Sequence, residues 1–337
     1  MQQAEIDILE NDILEKYPEV LDILLRDHTT QQNIFWATDN YQELGNEYQF
    51  HSPIKTASIT GENGHIIMPR VKKDKILQQT RVREMAEVFT PSWICNAQNN
   101  LIDNAWFERD NVFNTELLLP DGTQKWEVNR NKINFPEGKT WKHYIRDTRL
   151  EMACGEAPYI TSRYDTTTGE FIPIENRIGL LDRKLRVINE NVDDSGEWLE
   201  AAQTAYKNIY AFEWQGDSLL LAREAMLITF IENYSFKFGK EPLLKSIQYI
   251  AYIISWNVWQ MDGLKGVIPM SCGAKKTETT TLFGDVEVKI EECEGCMKDN
   301  IKKHNGIYCL IKDWGNKDPE TERKGRKIKF IDLLKNK

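Results

Sequence analysis

Four of the six cysteines fall within residues 272–309: Cys272, then Cys293-Glu-Gly-Cys296, then Cys309, with His304 among them. Two thiolates two residues apart on a turn suit tetrahedral zinc, whose closed structural sites take four sulfur or nitrogen ligands. Cys272 with Cys309 or His304 completes such a shell, and Cys272, Cys293, Cys296 and Cys309 are taken as the candidate set of a zinc ribbon. The plainer reading is of reduced thiols buried in a core. A second place for chemistry is the run 150–160, Leu-Glu-Met-Ala-Cys-Gly-Glu-Ala-Pro-Tyr-Ile. A strand that ends in Cys-Gly turns tightly, and the missing side chain lets backbone come close to a bound molecule. Carboxylates also close two later apolar runs, Glu213 after 209–212 and Asp262 after 258–261, while Asp313-Trp314 follows a third at 307–311.

Strands and helices must bring these residues together, and the second half of the chain alternates between the two. Its patterning predicts a strand at 149–154, helices at 178–189 and 197–208, a strand at 209–213, helices at 219–234 and 241–256, and a strand at 258–261. Such alternation predicts an α/β fold, a parallel sheet with helices on both faces. Right-handed crossovers then place the carboxyl ends of the strands, and any ligand, along one edge. Upstream, 4–26 reads as a helical arm interrupted at Pro18, and the aromatic-rich 31–70 as short strands or an irregular cap. Helical spacing at 74–88 stops at Thr90-Pro91-Ser92, which also starts a helix over 93–107. The polar stretch 111–142, with Pro-Asp-Gly at 120–122, reads as an insertion carrying a hairpin. The chain divides accordingly into an N-terminal helical and irregular extension (1–80), a core (81–270), a cysteine-rich insertion (271–310), and a last core strand with a basic tail (311–337).

In this order the signals resemble those of adenine-specific DNA methyltransferases of restriction-modification type, which bind S-adenosylmethionine on a Rossmann-like class I methyltransferase sheet. Glu151, Ala153, Cys154, Gly155, Ala157 and Tyr159 fill the places of the first motif of that family, with Ala157 where glycine is usual. Phe89-Thr90-Pro91 is similar to the segment that precedes it and closes over the methionine end of the cofactor. The run 209–226 resembles the second motif, which implies Glu213 on the ribose hydroxyls and Trp214 beside the adenine; an acid capping the next helix is the plainer reading. The run 257–264 resembles the third motif, implying Asp262 on the adenine amine of the cofactor. The likeness spans roughly half the chain. It fails at the catalytic segment, where the family carries Asn or Asp, two prolines and an aromatic. Asp313 and Trp314 stand nearest to that pattern, an acid to accept from the target amine and a ring to stack on a flipped base. The function implied is methyl transfer to the exocyclic amine of adenine in DNA. The alternative is a catalytically inactive cofactor- or DNA-binding subunit that works with a specificity or restriction subunit. A nicotinamide-dependent dehydrogenase also suits an acidic second strand, but the turn after Leu150 lacks GxGxxG.

Charge limits how DNA is met. Forty-three basic residues stand against 52 acidic ones, a net −9, so contact requires a local basic surface. Candidates are 70–75 with Arg81 and Arg83, and 323–329; each is a solvated face on the plainer reading. No apolar run approaches the roughly 18 residues that span a bilayer. The acidic start lacks the basic and apolar regions of a secretory signal, which leads us to expect no membrane partner and a cytoplasmic location.

Overall fold

The computed structural model describes residues 8, 10–73, 90–280, 286–322 and 324–334. Helices α1 (Glu10–Lys16) and α2 (Val20–Leu25) are separated at Pro18, which has no N–H to continue the ladder. Turns and short 3-10 pieces follow to residue 73. This region is no free arm, because Leu21, Leu24, Leu25, Ile34 and Trp36 lie in the main core. Helix α3 (Ser92–Phe107) begins after Pro91, and the Ser92 N–H donates to Asp165 Oδ2 at 2.7 Å, a cap supplied by a distant loop. The expected hairpin forms from β1 (Asn114–Leu118) and β2 (Gln124–Val128). Helix α4 (Trp141–Arg146) leads into β3 (Arg149–Met152). Helices α5 (Leu180–Asn191) and α6 (Ser195–Lys207) return the chain to β4 (Ile209–Glu213). Helices α7 (Gly216–Phe238) and α8 (Leu244–Asn257) return it again to β5 (Val258–Gln260). Two antiparallel hairpins end the chain, β6 (Lys275–Thr280) with β7 (Val286–Glu291), and β8 (Leu310–Lys317) with β9 (Lys324–Lys329). Between them lies the short helix α9 (Glu294–Met297).

Strands β3, β4 and β5 form one parallel sheet in that order, with Leu150 opposite Tyr210 and Phe212 opposite Trp259. Ile209, Ala211 and Val258 share one face and are fully buried in the helical core. Phe212 and Trp259 share the other, where Ile311, Ile328 and Phe330 of the β8–β9 segment meet them. The α/β expectation therefore holds only in its coarse form. Among the described residues the parallel sheet stops at three strands, and a hairpin takes the face expected to carry helices. After β5 the strands among the described residues are antiparallel hairpins, which pair within themselves and need no crossover.

Helix α3 turns a polar face inward, Asn96, Asn99, Asn100 and Asp103, all buried. Arg183 of α5 sits among them at 1% exposure, donating to Asp103 Oδ2 (2.6 Å), Asn96 Oδ1 (3.0 Å) and Asn100 Oδ1 (2.7 Å). Tyr144 adds a bond to Asp103 Oδ1 at 3.0 Å. Asn99 Nδ2 donates to the carbonyls of Tyr159 and Ile178, both at 3.0 Å, so the same helix fixes the loop that follows β3.

The N-terminal region is tied to the sheet by buried side chains. Arg223 gives Nε to Val258 O at 2.8 Å and Nη1 to the carbonyls of Leu24 and Arg26. Gln260 exchanges two hydrogen bonds with the Phe35 backbone. His28 lies flat on Trp256, ring centroids 4.0 Å apart, with Nε2 2.9 Å from Ser255 Oγ. Burial, and then the charges of Arg223, Lys312, Arg26 and Lys327, lower its pKa from 6.5 to about 3. The neutral ring is thus held in the fold while the unfolded chain takes a proton near pH 6.5. Stability is full above that pH and falls progressively toward pH 3. Compared with His28→Phe, the wild type is expected to lose on the order of 2–3 kcal/mol more between pH 7 and pH 4. Urea titrations at the two pH values check this, and parallel slopes for both proteins would refute it.

Candidate cofactor edge and metal centre

At the carboxyl edge of the sheet β3 runs into a loop with three residues in the left-handed region, Ala153 (φ 53°), Gly155 (φ 54°) and Ala157 (φ 58°). That conformation costs a non-glycine residue roughly 1–2 kcal/mol, so the two alanines are held there by their surroundings. Cys154 N–H donates to Phe212 O at 3.0 Å, which extends the β3–β4 ladder into the loop. Glu213, the last residue of β4, accepts the Gly155 N–H at 2.8 Å on Oε2 and the N–H groups of Trp214 (2.8 Å) and Gln215 (3.3 Å) on Oε1. Burial pushes its pKa up, and these three donors work against that shift. Glu151 has a buried Oε2 with no hydrogen-bond partner. Burial raises its pKa well above the carboxylate range against the pull of the Tyr159 and Ile160 N–H groups, and the charge of Glu213 adds to the rise. A side chain at 155 would point into open space.

Tyr159 places its phenol beside Cys95 and Thr90, which joins the Thr-Pro segment to the β3 loop. Phe89 lies outside the described residues. Pro91 lines a cavity of about 720 Å³ with Trp93, Trp126 and Phe171. Trp214 donates its indole N–H to Ala37 O at 3.2 Å. Asp262 is also at this edge, but its Oδ1 accepts the Leu264 and Lys265 N–H groups of its own turn, at 3.0 and 3.2 Å.

Asp313 and Trp314 are not brought to this edge. Cys309, just before β8, approaches Gln260 O at the end of β5, whereas Trp314 donates to Asn257 Oδ1 (2.8 Å) just before β5 begins. Tyr210, near the start of β4, donates to Lys312 O at 2.9 Å. Strand β8 therefore runs against the parallel strands, and its acid and indole end at their amino edge. At about 3.3 Å per residue, the length of β4 alone separates the two edges by roughly 13 Å. Transfer chemistry needs reacting atoms about 3–3.5 Å apart. The catalytic roles expected for Asp313 and Trp314 are incompatible with a cofactor on Gly155 and Glu213 in this arrangement.

The cysteine region gathers a different four from the expected set. Cys272 Sγ lies 3.3 Å from Cys293 Sγ, 3.5 Å from Cys296 Sγ and 3.3 Å from His304 Nδ1. Cys293 and Cys296 are each 3.6 Å from the same nitrogen. Tetrahedral zinc with Zn–S near 2.3 Å and Zn–N near 2.0–2.1 Å sets sulfur atoms about 3.8 Å apart and sulfur and nitrogen about 3.6 Å apart. The four atoms lie within about 0.5 Å of that spacing, in a cluster that could hold a metal ion such as zinc. Cys309 is not in it: its thiol is buried 3.4 Å from Gln260 O, among Phe212, Trp259 and Ile311. The turn is built for His304, since a Cβ on Gly295 would meet His304 N at 2.6 Å and Nδ1 at 2.7 Å. Asn305 N–H donates to Cys293 Sγ at 3.4 Å, a bond that favours the thiolate.

Sequence reasoning passed over Asn99, which holds the β3 loop, although Asn96, Asn99, Asn100 and Asp103 at i, i+3, i+4 and i+7 mark one helix face. No helix among the described residues is long and apolar enough to cross a membrane. No family model, curated protein or solved structure matches the chain.

Proposed function

We propose that the protein binds S-adenosylmethionine along the carboxyl edge of β3 and β4, as the cofactor-holding core of a methyltransferase directed at adenine in DNA. One observation carries this reading: the acid that closes β4 is bonded to the tight glycine turn that closes the adjacent parallel strand β3. The residues present suit the cofactor. Glu213 has two oxygens with about four acceptor sites, three of them used within the protein, which leaves one for a ribose hydroxyl. The unpartnered Oε2 of Glu151 can accept from an ammonium group, whose positive charge would offset the burial that raises the carboxyl's pKa, and the open side of Gly155 lets a ligand approach the backbone. When bound, the cofactor supplies an electrophilic methyl group on a sulfonium centre; the chain's own part is to bind and orient it.

The placement of Asp313 and Trp314 favours a second reading of the chemistry. In it the chain holds the cofactor and a specificity or restriction subunit, or another DNA-modifying chain, supplies the groups that draw in the target amine. The cluster of Cys272, Cys293, Cys296 and His304 serves as a closed structural zinc site.

Calorimetry with S-adenosylmethionine and its demethylated product tests the cofactor reading. Binding by the wild type is expected, and Glu213→Ala should weaken it at least about tenfold, the loss of a charged hydrogen-bond acceptor worth roughly 1.5–3 kcal/mol. Unchanged affinity removes Glu213 from the site, and a wild type that binds neither compound ends the reading. Transfer of tritiated methyl to DNA by the chain alone would identify a complete enzyme. Transfer only in the presence of a partner subunit would identify the cofactor-holding role.

A further inference from the structure

Between the outer face of the sheet and the β8–β9 segment a cavity of about 760 Å³ opens at the amino ends of the parallel strands. Four aromatic rings line it, Tyr210 and Trp259 from the sheet and Trp314 and Phe330 from the hairpin side. Three cations, Arg146, Lys207 and Lys324, line it as well, and none of them forms an ion pair with a described residue. The one carboxylate, Asp313, is already taken by Gly315 N–H (3.0 Å) and Asn316 Nδ2 (2.7 Å). Such a concentration of positive charge stands out in a chain of net charge −9. The Lys207 and Lys312 ammonium groups lie 5.4 and 4.9 Å from the Trp314 ring centre. On the same face of β9 as Lys324, exposed Arg326 continues the basic surface, and Lys327 and Lys329 add charge on the opposite face of the strand.

Aromatic rings beside cations recognise a flat base that carries phosphate: the ring takes the base face and the ammonium groups take the phosphates. The volume falls within the roughly 300–1,000 Å³ of small-ligand sites. A duplex keeps its base faces stacked, so the rings can be used only by an unpaired base. The basic strand leading away from the rim complements a backbone that continues beyond one nucleotide. We propose that this cavity holds one unstacked nucleotide of a single-stranded nucleic acid, its base against Trp314 and its flanking phosphates on Lys207, Lys324 and Arg326. The site is separated from the cofactor edge by the length of β4 and does not require the cofactor.

Fluorescence anisotropy with a labelled oligothymidylate of about 12 nucleotides tests the proposal on the full chain. Saturable binding is expected, weakened roughly 5- to 150-fold by Trp314→Ala and largely retained by Trp314→Phe. Changing Lys207 and Lys324 together to Gln should reduce the slope of log affinity against log salt by about 1.4, two single-strand phosphate contacts. Because Trp314 also bonds Asn257, circular dichroism and melting accompany each variant. Should the alanine variant not fold, Lys207→Glu decides, and it must weaken binding. The proposal is overturned if the wild type does not bind, or if Trp314→Ala or Lys207→Glu folds and binds as wild type does. It is equally overturned if a blunt duplex binds as well as the single strand, or if thymidine monophosphate competes as strongly as the oligonucleotide.

Discussion

Replacing Asp103 by alanine is expected to destabilise the protein by about 3–5 kcal/mol, a large part of the roughly 5–15 kcal/mol that holds a domain folded. Asp103 and Arg183 are each 1% exposed, and their 2.6 Å bond is the only ion pair of that guanidinium among the described residues. Without the carboxylate the Arg183 charge stays buried with the amide oxygens of Asn96 and Asn100 and the Phe113 ring, 5.1 Å from its centre. Tyr144 loses its acceptor and Arg149 one of two carboxylate partners in the same step. Denaturant titration should show a lower midpoint at unchanged slope. Removing the stranded charge as well, in Asp103→Ala with Arg183→Leu, should recover part of the loss, since the two sites are in direct contact and their effects do not add. A single-variant loss below about 1 kcal/mol, the range of exposed ion pairs, would contradict the arrangement. The consequence reaches the candidate site through Asn99, which belongs to the same helix face and holds the Tyr159 carbonyl.

Metal removal is expected to have the second large effect. Structural zinc binds small modules with roughly 10–16 kcal/mol, most of which appears as folding of the module. Protein purified without added metal should carry about one equivalent of zinc, and a strong chelator should abolish hydrogen-exchange protection over 271–309 while leaving α3, α5 and α7 protected. Alanine at His304 should lower metal affinity by more than about 100-fold, beyond what residues that merely orient a ligand contribute. Cys309→Ala should leave the metal content unchanged, because the Cys309 thiol packs at the end of β5 and not in the cluster. If the pattern were reversed, Cys309 would be the ligand and the turn around Gly295 would have to be rebuilt. A folded, metal-free preparation would sink the site altogether.

Much of the fold was legible because local patterns agreed with it. The apolar run 209–213 is the strand Ile209–Glu213, and Pro120-Asp121-Gly122 lies in the hairpin loop between β1 and β2. Helix 93–107 differs by one residue from Ser92–Phe107. What was illegible depends on partners far away in the chain. Alternating strands and helices imply a parallel sheet but do not say how many strands follow, and here the chain leaves the pattern after β5. The direction of β8 is invisible in its own residues, so the edge of the sheet that its acid and indole reach could not be read from them. Four ligands were expected in the cysteine region, yet spacing alone does not distinguish His304 from Cys309. That choice is made by Gly295, which leaves room for the ring. The inward polar face of α3 has helical spacing, but periodicity arguments look for apolar stripes and so overlook it.

The links between the N-terminal region and the sheet also bear on how the chain is made. Leu24, Phe35 and Trp36 find their hydrogen-bond partners at Arg223, Gln260 and Gly216, about 180 to 225 positions later. At synthesis rates of roughly 5–20 residues per second, some 10–40 s pass before those partners leave the ribosome. Throughout that interval α2 and the segment around Trp36 have no core to enter, and their apolar side chains face water or a chaperone. Folding of the segment that holds Leu24, Phe35 and Trp36 is thus expected to wait for synthesis of the sheet and helices that cover it, although it is made well before them. Destabilising changes there should reduce the yield of soluble protein more than they reduce the stability of what has folded.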